Sequence, residues 1–393
     1  MSWFQKYRNM KILQIIQRLD VGGLETLVVD LAIQLNCRGI SVEVLCLNNA
    51  DEKYAALLGQ NKIPLHIIPR KNRMNLSFFI KAASLARTRK FTLLHAHSGC
   101  HTDAAILGAL IGKKPLIYTA HGLPIFTRMI DRIEDSVATC FTDYMIAVSD
   151  EIEACLRKWI VCPRARFETI INGIDTKRFK PITDYSLKEN LLRKYSLPTN
   201  AFLFGSVGRL EKIKNYEMLV RSAKIVFEKI PDRSYLVLVG DGTQQFNLQQ
   251  LARQLGIDSR VIFLGMQQSI HEILPLFDCF TLSSLTEGTS ISLLESQSCG
   301  IPAVVTNVGG NGFVVRHGEN GYLCAVNDDE KMANYIISIL KSKTNAKMMG
   351  NMARKMVDEL FSIEIMTNKY IEIYAKKIPP WQSHVEAKAH NSE

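Results

Sequence analysis

Long apolar runs are what this sequence most plainly lacks. No stretch reaches the roughly 18–20 residues needed to span a bilayer, so no transmembrane helix is expected. No signal peptide is expected either: the apolar stretch after Met10 is short, and Gln17 and Arg18 break it. The start reads as a polar leader before a first strand, with Met1 and Met10 both candidate starts. The nine cysteines contain no CxxC pair and no regular spacing. An odd, dispersed set argues against a disulfide framework and a zinc site and fits a reducing cytoplasm, most of the thiols being small buried hydrophobes. There is no low-complexity tract, and aromatic residues are sparse among the cations, which disfavours nucleic acid as a partner.

What is present is length and an uneven charge. At 393 residues the chain exceeds one hydrophobic core, so two domains of roughly 150–200 residues are expected. Residues 1–180 hold 25 Lys and Arg against 16 Asp and Glu, whereas residues 181–393 hold 23 against 22. Within the first half, the run from Arg70 to Lys90 carries seven cations (Arg70, Lys71, Arg73, Lys81, Arg87, Arg89 and Lys90) and no acid. A second cluster, Arg157–Arg166, mixes cations with Trp159 and Ile160. Such a face is drawn to anionic lipid or phosphate; the alternative is a solvated helix face.

Patterning gives the fold class. "KILQIIQ", "SVEVLCL", "PLHIIP", "FTLLHAH", "PLIYTAHG" and "YMIAVS" are short β-branched or apolar runs separated by amphipathic stretches. That rhythm means parallel strands covered by helices on both faces. It pauses near Asn172 and restarts with "FLFGSVGRL", "SYLVLVGDG", "VIFLG", "CFTLSS" and "PAVVT". Two doubly wound Rossmann-like domains are expected, over residues 10–180 and 181–360, facing a central cleft. A C-terminal helix over 361–378 is expected to pack back on the first domain, and 379–393 reads as a disordered tail. Ligands of open parallel sheets bind beyond the carboxyl ends of the strands, so strand-end loops are where chemistry is sought.

Two such loops stand out in the second half. In "VGRLEKIKN", Gly208 permits a tight exit from the strand while Arg209 and Lys214 supply a forked donor and a compact positive charge suited to phosphate. A helix starting near Asn215 would add its positive end; the bland reading is a pair of surface cations. In "LTEGTSISLLES", Glu287 precedes a helix and Glu295 lies about two turns on. Gly288 allows close backbone approach, and the Thr289 and Ser290 amides would point at an anion. Glu287 alternatively is a surface acid, and Glu295 the partner of Ser292 in a capping box. Together these features suit a polyhydroxylated anion: acids for hydroxyls, cations and amides for a diphosphate. "VGDG" (Val239–Gly242) lacks the full dinucleotide fingerprint. Among the histidines, His121 ends a strand in "YTAHGLP", and His95, His97 and His101 cluster in "LLHAHSGCH". The cluster has no acid at metal-site spacing, so an acceptor-lining or structural role is expected for it.

"GRLEKIKN", "EGTSISLLE" and "CGIPAVVTNVGGN" together resemble glycosyltransferase family 4, enzymes of the GT-B fold with an E-x7-E signature. "DVGGLE", "TAHG" and "INGIDTKRF" in the first half agree, and the resemblance covers residues 10–378. It implies a retaining transferase moving a sugar from a UDP- or GDP-sugar to a saccharide acceptor. By resemblance, Arg209 and Lys214 match the diphosphate-binding cations, Glu295 the ribose-binding acid, and Glu287 the acid near the donor sugar. Gly288, Thr289 and Ser290 match the loop around sugar and phosphate, Gly22 and Gly23 the first-domain loop closing on the donor, and His121 a histidine facing the reacting sugar. No Asp-x-Asp motif stands at a strand end, so no metal or other cofactor is expected. The basic first domain points to a lipid-linked acceptor, cell-surface polysaccharide or lipopolysaccharide assembly, and a cytoplasmic enzyme in peripheral contact with the inner membrane face. The rival readings are a nucleotide-sugar epimerase on the same scaffold and a non-catalytic nucleotide-sugar binding protein.

Overall fold

The computed structural model describes residues 9–20, 22–70, 75–122, 129–161, 164–230 and 233–378. The chain divides into two compact units, residues 1–171 with 363–393, and residues 172–362. Among the described residues no helix is long and apolar enough to cross a membrane, and the eight described cysteines are free. The leader before Asn9, Lys71, Arg73 and the tail from Pro379 lie outside the described residues.

Unit 1 holds a seven-stranded sheet of β1 (Lys11–Ile16), β2 (Ser41–Cys46), β3 (Leu65–Ile67), β4 (Leu93–His97), β5 (Leu116–Ala120), β6 (Tyr144–Ala147) and β7 (Arg166–Thr169). The order is β3-β2-β1-β4-β5-β6-β7, and every pairing is parallel. Parallel neighbours need crossovers, supplied by helices such as Gly23–Cys37, Leu76–Arg89 and His101–Leu110. Their buried sides (Leu27, Leu31 and Leu35 on the first; Phe78, Ala82 and Ala86 on the second) recur at helical spacing and face the sheet. One core cluster gathers Leu13, Ile15, Leu45, Phe78, Phe91 and Leu94. Burying each such side chain stabilises by about 1.5–3 kcal/mol.

Unit 2 holds β8 (Phe202–Val207), β9 (Ser234–Val239), β10 (Val261–Gly265), β11 (Cys279–Leu282), β12 (Ala303–Thr306) and β13 (Gly321–Cys324). The order is β10-β9-β8-β11-β12-β13, again all parallel. Its core gathers Phe204, Leu219, Phe227, Leu236 and Leu238 with Ile336 and Leu340 of the helix Asp329–Lys341.

Two strands escape the sequence pattern. β7 is an edge strand with an exposed Arg166 and three half-buried residues, so it carries no apolar run. β13 has four residues and opens on Gly321, whose added Cβ would lie 2.3 Å from the Ala303 carbonyl oxygen. The junction falls at residue 172, nine residues before the expected 181. Residues 172–180 are bonded within unit 2: Ile174 N–H donates to the Phe361 carbonyl at 2.9 Å, and the Phe179 carbonyl accepts from Ser298 Oγ at 2.6 Å and Arg354 at 2.7 Å. The helix Ile363–Lys377 belongs to unit 1, where the buried hydroxyl of Tyr374 meets His95 Nδ1 at 2.8 Å and that of Tyr370 meets Thr119 Oγ1 at 3.1 Å.

Candidate active site

In each sheet the strand order reverses once, between β1 and β4 in unit 1 and between β8 and β11 in unit 2. Loops leaving neighbouring strands on opposite sides open a crevice there, the usual ligand position of this architecture.

In unit 2 the loop after β8 runs through a 3-10 turn, Lys212–Lys214, into the helix Tyr216–Lys229. Asn215 makes the turn at φ +48°, a left-handed conformation that asparagine tolerates better than most residues. Two glycines bring the loop after β9 against it. A Cβ on Gly240 would sit 2.1 Å from the Gly208 carbonyl oxygen, and one on Gly242 2.5 Å from that of Leu210. "VGDG" is therefore a close-approach pair rather than a fragment of a dinucleotide fingerprint.

The loop after β11 is tied to the first by hydrogen bonds. Ser283 Oγ donates to the Lys214 carbonyl at 2.9 Å, and the Leu285 N–H donates to that of Ile213 at 2.8 Å. Lys214 Nζ lies 2.5 Å from Glu287 Oε1, which also accepts from Ser284 Oγ at 2.6 Å. Both members of the ion pair are sheltered but reach solvent, with side-chain exposures of 22% for Lys214 and 10% for Glu287. Such a pair keeps both charges while fixing their positions. Arg209 lies exposed on the same loop.

Beyond Glu287, the Gly288 carbonyl accepts from Gly310 N–H at 2.7 Å; a Cβ on Gly310 would meet that oxygen at 2.6 Å, so the "VGGN" glycine is required for this contact. Thr289 and Ser290 are buried, and Ser290 caps the helix Ile291–Ser298 by accepting from Leu293 N–H at 3.4 Å. The Ser292–Glu295 capping box is thus not formed, because the helix starts two residues earlier than that box requires. Glu295 sits half-buried in the second turn.

In unit 1, Gly22 is the N-cap of the helix Gly23–Cys37; its carbonyl accepts from Thr26 Oγ1 at 2.9 Å and from the Tyr54 hydroxyl at 3.3 Å. His121 follows β5, half-buried, with its backbone N–H donating to Ser98 Oγ at 2.8 Å and its Nε2 3.0 Å from His97 Nδ1. Burial holds the His121 and His95 rings at pKa values of about 3 and His97 well below its ordinary value, so all three are neutral at physiological pH. His101 is turned away from this group: it bonds Asp135 at 3.1 Å and Thr142 at 2.9 Å and stacks on Tyr118.

The structure therefore brings Lys214, Glu287, Gly288, Thr289 and Ser290 onto interlocked loops of unit 2, with Arg209 beside them and Glu295 on the helix they lead into. Gly22, Gly23 and His121 lie in unit 1. Sequence reading passed over the residues that hold the loops: Ser283, Ser284, Ser98 and Asn172, whose Nδ2 donates to the Thr289 carbonyl at 3.4 Å. Their signal was small polar residues at the ends of apolar runs.

The seven-cation run is less available than its composition suggests. Arg70 is paired with the buried Asp103, Arg89 lies 3.5 Å from Glu43, and Arg87 donates to the Leu110 carbonyl at 2.6 Å. Lys81 and Lys90 are exposed, along with Leu76 and Ile80 of the same helix.

Comparison with known proteins agrees with this geometry. Residues 188–356 match the family model "Glycosyl transferases group 1", and residues 21–178 match "Glycosyltransferase Family 4". The chain is 30% identical over 315 residues to the Escherichia coli UDP-Gal:alpha-D-GlcNAc-diphosphoundecaprenol alpha-1,3-galactosyltransferase, covering 76% of this chain and 79% of that protein. It is 31% identical over 310 residues to the Bacillus anthracis N-acetyl-alpha-D-glucosaminyl L-malate synthase, covering 76% and 78%. Among solved structures, Anabaena HepE in complex with UDP-glucose superposes with a TM-score of 0.81 at 25% identity, over 94% of this chain and all of that one. The lipopolysaccharide glycosyltransferase WaaG, at 17% identity and a TM-score of 0.70 over 92% of this chain and 99% of its own, shares the fold. Two Rossmann-like sheets with charged and glycine-rich loops at their reversal points, and these relatives, lead to one conclusion: the chain is a glycosyltransferase of the GT-B fold and belongs to glycosyltransferase family 4.

Proposed function

We propose that the protein moves a sugar, with retention at its anomeric carbon, from a UDP- or GDP-sugar to a lipid-linked saccharide acceptor. The observation that carries the donor half is the Lys214–Glu287 ion pair, which joins the two loops at the unit 2 reversal point. In this reading Lys214 and Arg209 neutralise the leaving diphosphate, with the backbone amides of Gly288, Thr289 and Ser290 alongside. Glu295 accepts from the ribose hydroxyls, and Glu287 orients Lys214 while meeting the donor sugar. From unit 1, Gly22 and Gly23 approach the donor and His121 bonds a hydroxyl of the reacting sugar. As the sugar–phosphate bond ionises, negative charge builds on the diphosphate, so preorganised cations lower the barrier most. A donor phosphate oxygen then takes the acceptor proton on the same face, so no carboxylate nucleophile is needed and the cations serve where a metal ion otherwise would. The complex of HepE with UDP-glucose supports a nucleotide-sugar donor.

The lipid-linked acceptor is supported by the E. coli relative, named for a diphosphoundecaprenol substrate, and by the exposed Lys81, Lys90, Leu76 and Ile80. We place the reaction in cell-surface polysaccharide or lipopolysaccharide assembly at the cytoplasmic membrane face.

The test is turnover of a panel of UDP- and GDP-sugars, in EDTA, with and without short lipid-diphosphate saccharides. One nucleotide should be released selectively, the product should keep the donor's anomeric configuration by NMR, and Glu287→Ala should lose on the order of 10²–10³ in rate. Strict magnesium dependence, inversion, or an unimpaired Glu287→Ala would each overturn the corresponding part.

A further inference from the structure

The reversal point of unit 1 contains a hydrogen bond between two neutral imidazoles. His97 ends β4, His121 follows β5, and His97 Nδ1 lies 3.0 Å from His121 Nε2. One of these nitrogens must carry the proton and the other accept it, so the two rings' tautomers are coupled.

Which way the proton lies is decided at the far side of His97. Its Nε2 is buried and has no hydrogen-bond partner among the described residues. If His121 donated, His97 would accept at Nδ1 and its own N–H would fall on Nε2, a donor sealed away from any acceptor. Should His97 donate instead, the sealed atom is only a lone pair. Buried orphan N–H groups are rare and costly, and unfilled acceptors are better tolerated. His95, whose ring centroid lies 4.3 Å from that of His97, is no substitute partner. Its Nδ1 is taken by the Tyr374 hydroxyl and its Nε2 by Thr119 Oγ1, both at 2.8 Å.

We infer that His97 is a positioning residue that donates from Nδ1 to His121 Nε2 and so holds His121 in the Nδ1–H tautomer. His121 then presents a fixed N–H donor, oriented further by the 2.8 Å bond from its backbone N–H to Ser98 Oγ. A ligand oxygen such as a sugar hydroxyl fits that donor, and a proton-abstracting role for this nitrogen is excluded. Burial keeps both rings neutral, so each carries a single proton. The inference rests on the proposal that His121 touches the donor sugar.

The experiment is long-range 1H–15N correlation NMR of the histidine-labelled full chain, with His97→Asn and His97→Gln alongside. Asparagine sets its amide where His97 Nδ1 stands; glutamine carries it one bond further, at the Nε2 position, with little change of polarity. His121 should show the Nδ1–H pattern in wild type and His97→Asn and lose it in His97→Gln. Donor turnover, kcat/KM, should fall about 10-fold in the glutamine variant, the value of one aligned donor, and recover most of that in the asparagine variant. An Nε2–H His121 in the wild type, or identical behaviour of the two variants, overturns the inference. His121→Ala separates the two ideas: wild-type turnover in that variant defeats the substrate role of His121, while the His121 tautomer is still read from the wild-type spectrum.

Discussion

Where strand order reverses in unit 1, a neutral pair stands at the strand ends: His97 and His121 share one hydrogen bond, with Ser98 beside them and His95 sealed beneath. Where it reverses in unit 2, a lysine and a glutamate meet at 2.5 Å within reach of solvent. The topology is the same, and the two side-chain pairs differ in kind, one neutral and one charged. Burial accounts for the difference. Histidine entering a dry position gives up its proton at modest cost, whereas a lysine and a carboxylate keep their charges only when paired and partly hydrated. One sheet end thus supplies neutral hydrogen bonds and the other fixed charge.

The most forceful way to break the contrast is Lys214→Ala. It removes the compact positive charge from the unit 2 loops, and kcat should fall on the order of 10²–10³-fold; Lys214→Arg should not restore it fully, since the longer fork does not fit a 2.5 Å pair with Glu287. Wild-type turnover of Lys214→Ala would remove this residue from the site.

A smaller effect sharpens the unit 1 side. His95 and His97 are 0% and 1% exposed, and burial lowers both pKa values in the fold below the ordinary 6.5, to about 3 for His95. Below that ordinary value the unfolded chain takes up protons that the native rings refuse. Their contribution is therefore complete above pH 6.5 and is lost as pH falls toward 3. Between pH 6.5 and 5, before most carboxylates titrate, each ring should lower stability by on the order of 1 kcal/mol per pH unit. Urea unfolding midpoints would show it, and His97→Asn should lower the slope by about a third, since His121 is held low in the same way; a flat profile would contradict the burial argument.

The smallest effect concerns the basic face. Replacing Lys81 and Lys90 by glutamine should weaken binding to anionic liposomes by about 1 kcal/mol for each cation, and added salt should shrink the difference. Unchanged liposome binding would remove the patch from consideration.

Much of the arrangement was legible before the structure. Eleven of the thirteen described strands coincide with the apolar runs quoted above, since a strand inside a helix-covered parallel sheet is mostly apolar. β7 and β13 were not legible, one being a half-exposed edge and the other a four-residue strand opening on glycine. Lys214, Glu287 and His121 were legible as polar residues placed where apolar runs stop. Their supports were not: nothing in the spacing of Ser284 or Asn172 says that one bonds Glu287 and the other the Thr289 carbonyl. The capping box at Ser292 failed because Ser290, also a good cap, lies nearer the turn that Gly288 and Gly310 create.

By itself the sequence determined most of the strands, the parallel character of both sheets and the loops in which chemistry is sought, because these depend on local periodicity and on residues at run ends. The tertiary structure alone decided that residues 172–180 belong with the second unit. It also decided that Arg70 is spent on Asp103, that Lys214 finds Glu287 across 73 positions of chain, and that His97 finds His121 across 24. Such pairings depend on strand order, and strand order is set by how helices and sheet bury one another, which no local window of sequence contains.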